Sequence, residues 1–394
     1  NLAVNTSRDF GSTMKPVTDY GPAFEYLKYS TGKMITDAPY NYEGTSTPVG
    51  NWDNSYLGTI TLRQALYLSR NVPAVKLFNE VGSDKVSSFL KDLGIEYSTI
   101  HQSNAISSNT EKQDGTKYGA SSLKMAAAYA AFANGGTYYK PQYVNKIVFQ
   151  DGTEQTYEPE GKTAMSPETA YMVTDILKDT ITQGTGSNAL IPGLFQAGKT
   201  GTSNYTDEEY AKIGLSSGVY PDILFAGYTP NYAISVWTGY NEKLTPVTSE
   251  SSHVASDVYR ELMKYVSANV TNEDWEMPSG LVRYGGELYY RDQVNNTQRR
   301  TTPSSTVPSS TVTIPESSTS STTESTTTQS STESTTSSQS SESSSSSETS
   351  SSTAPSSSSS TPPTSSSSAP QESSEPTTPS SNANESQASG SSAG

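Results

Sequence analysis

Ile223-Leu-Phe-Ala-Gly-Tyr-Thr-Pro-Asn-Tyr-Ala-Ile-Ser-Val-Trp-Thr-Gly-Tyr240 decides the fold class. Two runs rich in β-branched and aromatic residues, Ile223 to Tyr228 and Tyr232 to Tyr240, flank Thr229-Pro230-Asn231, which predicts an antiparallel hairpin. Upstream, Gln196-Ala-Gly-Lys-Thr-Gly-Thr-Ser203 reads as a third strand. A peripheral ribbon is expected where Asp151-Gly152 separates Lys146–Gln150 from Thr153–Tyr157, because Asp-Gly fits the tight turn that strand twist prefers.

Helices surround these strands. Thr61-Leu-Arg-Gln64 is a capping box, which starts a helix ending near Ser69. Pro73 suits the first turn of a second helix, carrying Ala74, Val75, Leu77 and Phe78 to a stop at Gly82. Ser83 is read as the cap of a third, ending at Gly94. An Ala-rich helix runs from about Ser122 to Ala133 and ends at Asn134-Gly135-Gly136. Ser166-Pro167-Glu168 opens another, to about Thr182. A last helix, Val254 to Val266, shows an apolar stripe of Val254, Val258, Leu262 and Val266. The expected fold class is α+β: an antiparallel β-sheet covered by helices.

Composition divides the chain and narrows its function. Of the net charge of −15, residues 1–300 carry −7, since the stretch beyond Arg300 holds eight Glu and no basic residue. From about Thr297 onward Ser, Thr and Pro dominate; such a segment buries too little apolar surface to offset backbone entropy and is expected to be a disordered tail, a solvated spacer or glycosylated stalk. An acidic chain without a basic face argues against nucleic acid as a partner. Without Cys there is no disulfide, thiolate nucleophile or Cys-bound zinc, and His101 and His253 form no local metal motif, so no metal or cofactor is expected and both His are read as structural. No apolar run approaches the roughly 20 residues that span a bilayer. The start at Asn1 rather than Met reads as a fragment or processed product.

A nucleophilic mechanism must then use Ser or Thr with a base other than His or Cys, and a neutral Lys can serve. In Ser12-Thr-Met-Lys15 the amine follows the hydroxyl by three positions, one helical face, and Pro16 places Ser12 at a helix start, where free N–H groups favour negative charge. Ser-x-x-Lys recurs at Ser30, Ser88 and Ser121, and Ser-x-Asn at Ser69, Ser107 and Ser267, so each is weak alone. Lys199-Thr-Gly201 occurs once, on an expected strand, and Ser69-Arg-Asn71 lies between expected helices.

Gly11-Ser-Thr-Met-Lys-Pro16, Ser69-Arg-Asn-Val-Pro-Ala74, Ala133-Asn-Gly-Gly136 and Gly198-Lys-Thr-Gly-Thr-Ser203 together resemble the transpeptidase domain of class A penicillin-binding proteins. Tyr205-Thr-Asp-Glu-Glu209 is similar to the type 1a members of Gram-positive cocci. The resemblance implies a penicillin-binding/serine β-lactamase-like fold over 1–276, lacking its N-terminal start, a short β extension over 277–296 and the tail over 297–394. It implies that Ser12 attacks the penultimate D-Ala carbonyl of a peptidoglycan stem peptide while Lys15 takes its proton. Lys199 would lower the proton affinity of Lys15 and, with Thr200 and Thr202, hold the substrate carboxylate. Ser69 would relay a proton to the leaving amine, Asn71 would bind the substrate amide, and the backbone N–H groups of Ser12 and Thr202 would form the oxyanion hole. Gly201 is expected to let the strand approach the ligand. Trp52 and Thr13 are candidates for lining the groove, with core or rim packing as the alternative.

The implied partners are stem peptides as donor and amine acceptor, β-lactams as covalent inhibitors, and cell-wall synthesis proteins, at the extracellular face of the membrane. The anchor and a glycosyltransferase domain, which would make the intact protein bifunctional, are expected outside this chain. In the family, strands from before the nucleophile complete the sheet, so an open sheet edge is expected here. A DD-carboxypeptidase or a β-lactam-sensing module are the alternatives. A β-lactamase of class A needs a Glu-x-x-x-Asn base, and no Glu between Asn71 and Lys199 has Asn four residues later. An adhesin reading leaves the ordered trio unexplained.

Overall fold

The computed structural model describes residues 3–4, 8–97, 99–108 and 119–294; the expected tail and Asn109 lie outside them. In chain order the helices are α1 (Gly21–Leu27), α2 (Leu62–Tyr67), α3 (Asn71–Val81), α4 (Ser83–Asp92), α5 (Ser122–Ala133), α6 (Pro167–Thr182), α7 (Asp207–Ile213) and α8 (Val254–Ser267). The strands are β1 (Met34–Asp37), β2 (Gly58–Thr61), β3 (Thr137–Tyr139), β4 (Lys146–Val148), β5 (Glu154–Thr156), β6 (Gly161–Thr163) and β7 (Ala197–Thr202). They continue as β8 (Val219–Tyr220), β9 (Asp222–Tyr228), β10 (Ala233–Gly239), β11 (Val247–Thr248), β12 (Leu281–Tyr284) and β13 (Glu287–Tyr290).

The central sheet is antiparallel in the order β10-β9-β7, with Trp237 opposite Leu224 and Lys199 opposite Ala226. Every residue of β9 is buried, because its two faces feed two cores. Strand alternation sends Leu224, Ala226 and Tyr228 into the larger core with α1 to α6, and Ile223 and Phe225 into a second cluster with α8. β7 and β10 are the outer strands, and the outer edge of β10 has no strand partner among the described residues. β4 and β5 form the expected ribbon, exposed along both strands.

Caps set the helix starts. Thr61 and Gln64 satisfy each other's backbone donors at α2, and Ser166 accepts from the Thr169 N–H at α6. Ser83 is not a cap: it is the first helical residue of α4, and Gly82, at φ 88°, turns the chain.

One further expectation is corrected. The stripe Val254, Val258 and Leu262 on α8 is exposed, with Val266 only partly covered, and the buried face is Ala255, Tyr259 and Met263. Both stripes have the same period one residue apart, and the sheet selects between them. A Cβ on Gly227 would lie 2.8 Å from the Tyr259 ring, so the missing side chain on β9 makes the seat for that tyrosine, whose ring centroid is 4.6 Å from that of Phe225. The C-terminal hairpin β12–β13 joins the larger core. Gly285 and Gly286 make its turn at positive φ, Leu281 and Leu288 are sealed in the larger core, and the Leu288 N–H donates to Thr31 Oγ1 at 2.7 Å.

Arg63 on α2 ties this hairpin to α6, meeting Asp175 and Asp179 at 2.5 Å each and Glu287 at 2.9 Å. Replacing it leaves Asp179 and Glu287 without their arginine, while Asp175 keeps Arg283 at 2.6 Å. Arg63→Met is expected to destabilise the fold by about 3 kcal/mol, read as a lower urea midpoint at an unchanged slope.

Candidate active site

Three chain segments meet at the end of β7. The first is not the single helix expected after Ser12. Gly11–Met14 is a 3₁₀ turn, Pro16–Tyr20 a π turn, and α1 begins only at Gly21. Pro16 has no N–H to give to a preceding turn, and the Gly21 N–H reaches back five residues to the Pro16 carbonyl, which widens the coil. Asp9 fixes the entry: its Oδ1 accepts from the N–H groups of Gly11 (2.9 Å) and Ser108 (2.7 Å), and its Oδ2 from the Ser107 hydroxyl (2.8 Å). Burial holds that carboxyl above its usual range, against those hydrogen bonds.

The second segment is the bend at Ser69, a non-glycine residue at φ 57°. Leu68 to Asn71 are bound by the strand and loop before them. Arg70, about 1% exposed, gives Nε to Asp37 Oδ2 and Nη1 to Asp53 Oδ2, both at 2.8 Å, and also bonds the Ser55 carbonyl. Asn51 uses both ends of its amide: Nδ2 donates to Asp37 Oδ1 (2.7 Å) and the Ser55 carbonyl (2.9 Å), while Oδ1 accepts from the Asn71 N–H (2.8 Å). It thus caps α3 from outside, where Arg70 at the N-cap offers no side-chain acceptor. Trp52 is 64% exposed beside this bend, its indole N–H on the Leu68 carbonyl at 3.1 Å, which is a rim position rather than a core one.

The third segment is β7, which brings Lys199, Thr200, Gly201 and Thr202 alongside the first. The approach is backbone to backbone. A Cβ on Gly11, at φ +48°, would lie 2.3 Å from the Thr202 carbonyl oxygen, and one on Gly201 would lie 2.8 Å from the Phe10 carbonyl oxygen and from Thr13 Cγ2. Gly201 is therefore required by the close approach of the turn that carries Ser12. Thr13 is buried against it, with its hydroxyl donating to the Phe10 carbonyl at 2.6 Å, so it packs and does not line a groove. Beyond Thr202, the Ser203 hydroxyl donates to Asp222 Oδ2 (2.6 Å), and Arg8 pairs with Asp222 at 2.9 Å, which pins the strand end.

The polar centre is a chain through one hydroxyl. Lys199 Nζ lies 2.8 Å from Ser69 Oγ, and Ser69 Oγ lies 3.2 Å from Lys15 Nζ. Lys15 Nζ also donates to the Ser69 carbonyl and to Asn71 Oδ1, both at 2.7 Å. Ser12 is half-buried at the start of this arrangement. Both amines are fully buried. Burial pushes the Lys15 amine down, Asp19 opposes that, Arg70 adds to it and Asp37 opposes it, for a balance at about 7. Burial first and then the Lys15 charge hold Lys199 well below the usual lysine range. Burial comes first at both amines, their two charges oppose each other, and Arg70 is a further cation that acts on Lys15.

Several positions were not singled out from the sequence: Asp9, Asp37, Asn51, Arg70, Asp19, and Thr185, whose hydroxyl meets that of Thr200 at 2.8 Å. Asp-x-Gly before Ser12 and Asn-Trp-Asp around Trp52 were the only local signs. Asn71 is engaged at both ends, its Nδ2 on the Gly50 carbonyl at 2.7 Å, so a bound amide would have to exchange with one of these contacts. His101 and His253 lie on exposed positions away from the centre.

The model of the family described as penicillin binding protein transpeptidase domain matches residues 1–264. Penicillin-binding protein 1A of Streptococcus pneumoniae is 56% identical over 299 residues, covering 75% of this chain and 41% of that protein. Its counterpart in Streptococcus oralis is 56% identical over 279 residues, 70% of this chain and 44% of that protein. Penicillin-binding protein 1A/1B of Bacillus subtilis is 40% identical over 285 residues, 72% of this chain and 30% of that protein. The chain therefore spans less than half the length of these curated relatives. Among solved structures, the penicillin-binding protein PonA1 from Mycobacterium tuberculosis aligns at a TM-score of 0.58 and 21% identity, over 71% of this chain and 73% of that one. Penicillin-binding protein 1A from Haemophilus influenzae aligns at 0.56 and 20%, over 70% and 44%. At these identities the two structures show the fold alone.

The contact between Gly11 and Thr202 generates a test of the geometry. Gly11→Ala adds a strained φ and a clash with a backbone oxygen, and is expected to cost about 3 kcal/mol of unfolding free energy by urea denaturation.

Proposed function

The chain belongs to the penicillin-binding protein transpeptidase family, and on that premise we propose that it is a serine-type D-Ala-D-Ala transpeptidase which cross-links peptidoglycan stem peptides through an acyl-enzyme on Ser12. The observation that carries this is the Lys199–Ser69–Lys15 chain, whose Lys15 follows Ser12 by three residues. Hydrogen-bond accounting supports Lys15 as the base. With Lys15 as NH₂, two hydrogens go to the Ser69 carbonyl and Asn71 Oδ1, and its lone pair can face a hydroxyl; Ser69 then accepts from Lys199.

The Ser12 oxygen bonds to the penultimate D-Ala carbonyl carbon as its proton passes to Lys15. The oxyanion is held by the N–H groups of Ser12 and Thr202, a pairing supported by the close approach of Gly11 to the Thr202 backbone. The C–N bond to the terminal D-Ala breaks as Ser69 hands a proton to the leaving amine, replenished from the lysine amines. An acceptor amine then attacks the ester, and Ser12 recovers its proton. Lys199, with Thr200 and Thr202, attracts the donor's terminal carboxylate; Asn71 holds its amide and Trp52 stands at the groove rim. β-Lactams, which mimic the donor, acylate Ser12. The intact protein acts at the extracellular face of the membrane, with an anchor and a glycosyltransferase domain outside this chain.

Intact mass after mixing with benzylpenicillin is expected to show one lasting adduct, absent from Ser12→Ala with an unchanged melting curve. An adduct on the variant, or one that disappears within seconds, would contradict the reading. The acylation rate carries a second expectation. A base titrating at about 7 is neutral above that pH and charged below it, so the rate should fall about tenfold per pH unit below about 7.

A further inference from the structure

Asp19 lies in the π turn, four residues after Lys15, and is fully buried. Neither carboxyl oxygen has a hydrogen-bond partner among the described residues, and the adjacent Thr18 hydroxyl donates to the Met14 carbonyl at 2.9 Å. Buried carboxyls are ordinarily given donors, and one without them costs stability that an isosteric amide or an apolar side chain would avoid. The turn that carries it is held in place: a Cβ on Gly21 would lie 2.6 Å from the Pro16 carbonyl oxygen and 2.8 Å from the Phe89 ring. Turns of this kind are rare and concentrate at functional sites.

The charges packed around the two amines leave Asp19 a specific role. From the bend before α3 comes Arg70, from β1 Asp37, from the loop before β2 Asp53, from β7 Lys199, and from the π turn itself Tyr20, also buried. Asp37 and Asp53 are both committed to Arg70 at 2.8 Å. Of these groups Asp19 is the carboxyl not committed to an arginine, and Lys15 and Lys199 are the two buried lysines, neither in a salt bridge among the described residues. Burial raises the Asp19 carboxyl well above the usual range and the Lys15 charge opposes that, so in this dry interior the two groups act on each other with little screening.

We propose that Asp19 is a positioning residue for acyl transfer: its carboxyl is the buried counter-charge that sets how readily the Lys15 amine takes up the Ser12 proton. It does not touch the reacting atoms. As the Ser12 proton arrives, the new ammonium favours the charged form of a carboxyl four residues further along the same coil, so the buried region gains a pair rather than a lone cation. This rests on the acyl-transfer reading.

The test compares wild type, Asp19→Asn and Asp19→Glu in benzylpenicillin acylation rate against pH, each with a melting curve. In Asp19→Asn the acid limb should move to lower pH by about one unit and the plateau should fall about tenfold, since an amine without its counter-charge is a weaker base. Its melting temperature should hold or rise, and Asp19→Glu should bring the limb back toward wild type. An Asn variant whose limb stays in place would overturn the proposal, as would collapse of the fold in both variants, which would assign Asp19 to structure. A wild-type adduct with an unmoved limb refutes only the role of Asp19, whereas no adduct on wild type overturns the acyl-transfer reading as well.

Discussion

Two lysine amines sealed from water share one serine hydroxyl, and the rest of the site exists to make that tolerable. Burial of an ammonium costs several kcal/mol unless the group is paired or neutral, and two of them in one hydrogen-bonded chain repel. The chain Lys199–Ser69–Lys15 resolves this by letting one amine be neutral, and neutrality makes an amine a base. Ser69 can stand between them only because its backbone adopts a left-handed φ of 57°. That conformation is held from behind by Arg70, Asn51 and Asp37, all buried, with Arg70 and Asn51 both donating to Asp37.

Rigidity on the other side comes from backbone contact rather than side-chain fit. Gly11 and Gly201 let the 3₁₀ turn and β7 touch, so the positions of Ser12 and Thr202 are fixed by main chain, which has few ways to adjust. β7 in turn hangs on β9, a strand buried on both faces by two separate cores. The Arg63 cluster and the hairpin β12–β13 clamp α2 and α6 around the same centre. Fold stability and site geometry are thus carried by the same contacts.

Much of this was legible in the sequence because its signals are local. The Thr61–Gln64 capping box, the Ser166-Pro167 start, the Asp151-Gly152 turn and the three strands of the central sheet depend on neighbours within a few residues, and the order of Ser12, Ser69 and Lys199 pointed to the site. What failed was tertiary. Val254, Val258 and Leu262 form as good a stripe as Ala255, Tyr259 and Met263, and only the bare surface at Gly227 decides between them. The change from 3₁₀ to π coil after Ser12 depends on how Pro16 and Gly21 close across five residues. Asn51, Arg70 and Asp37 are ordinary polar residues until the fold buries them together, and Asp19 is distinguished by having no partner there.

The protonation of Lys15 is the centre of this account, and it can be watched directly by carbon NMR titration of a lysine-labelled protein, with the Lys15 signal identified by its absence in Lys15→Arg. The account predicts a titration midpoint near 7 for that signal in the unacylated protein. A Lys15 signal that stays charged up to the ordinary lysine value of 10.5 would contradict it, because no neutral amine would then stand beside Ser12 at neutral pH.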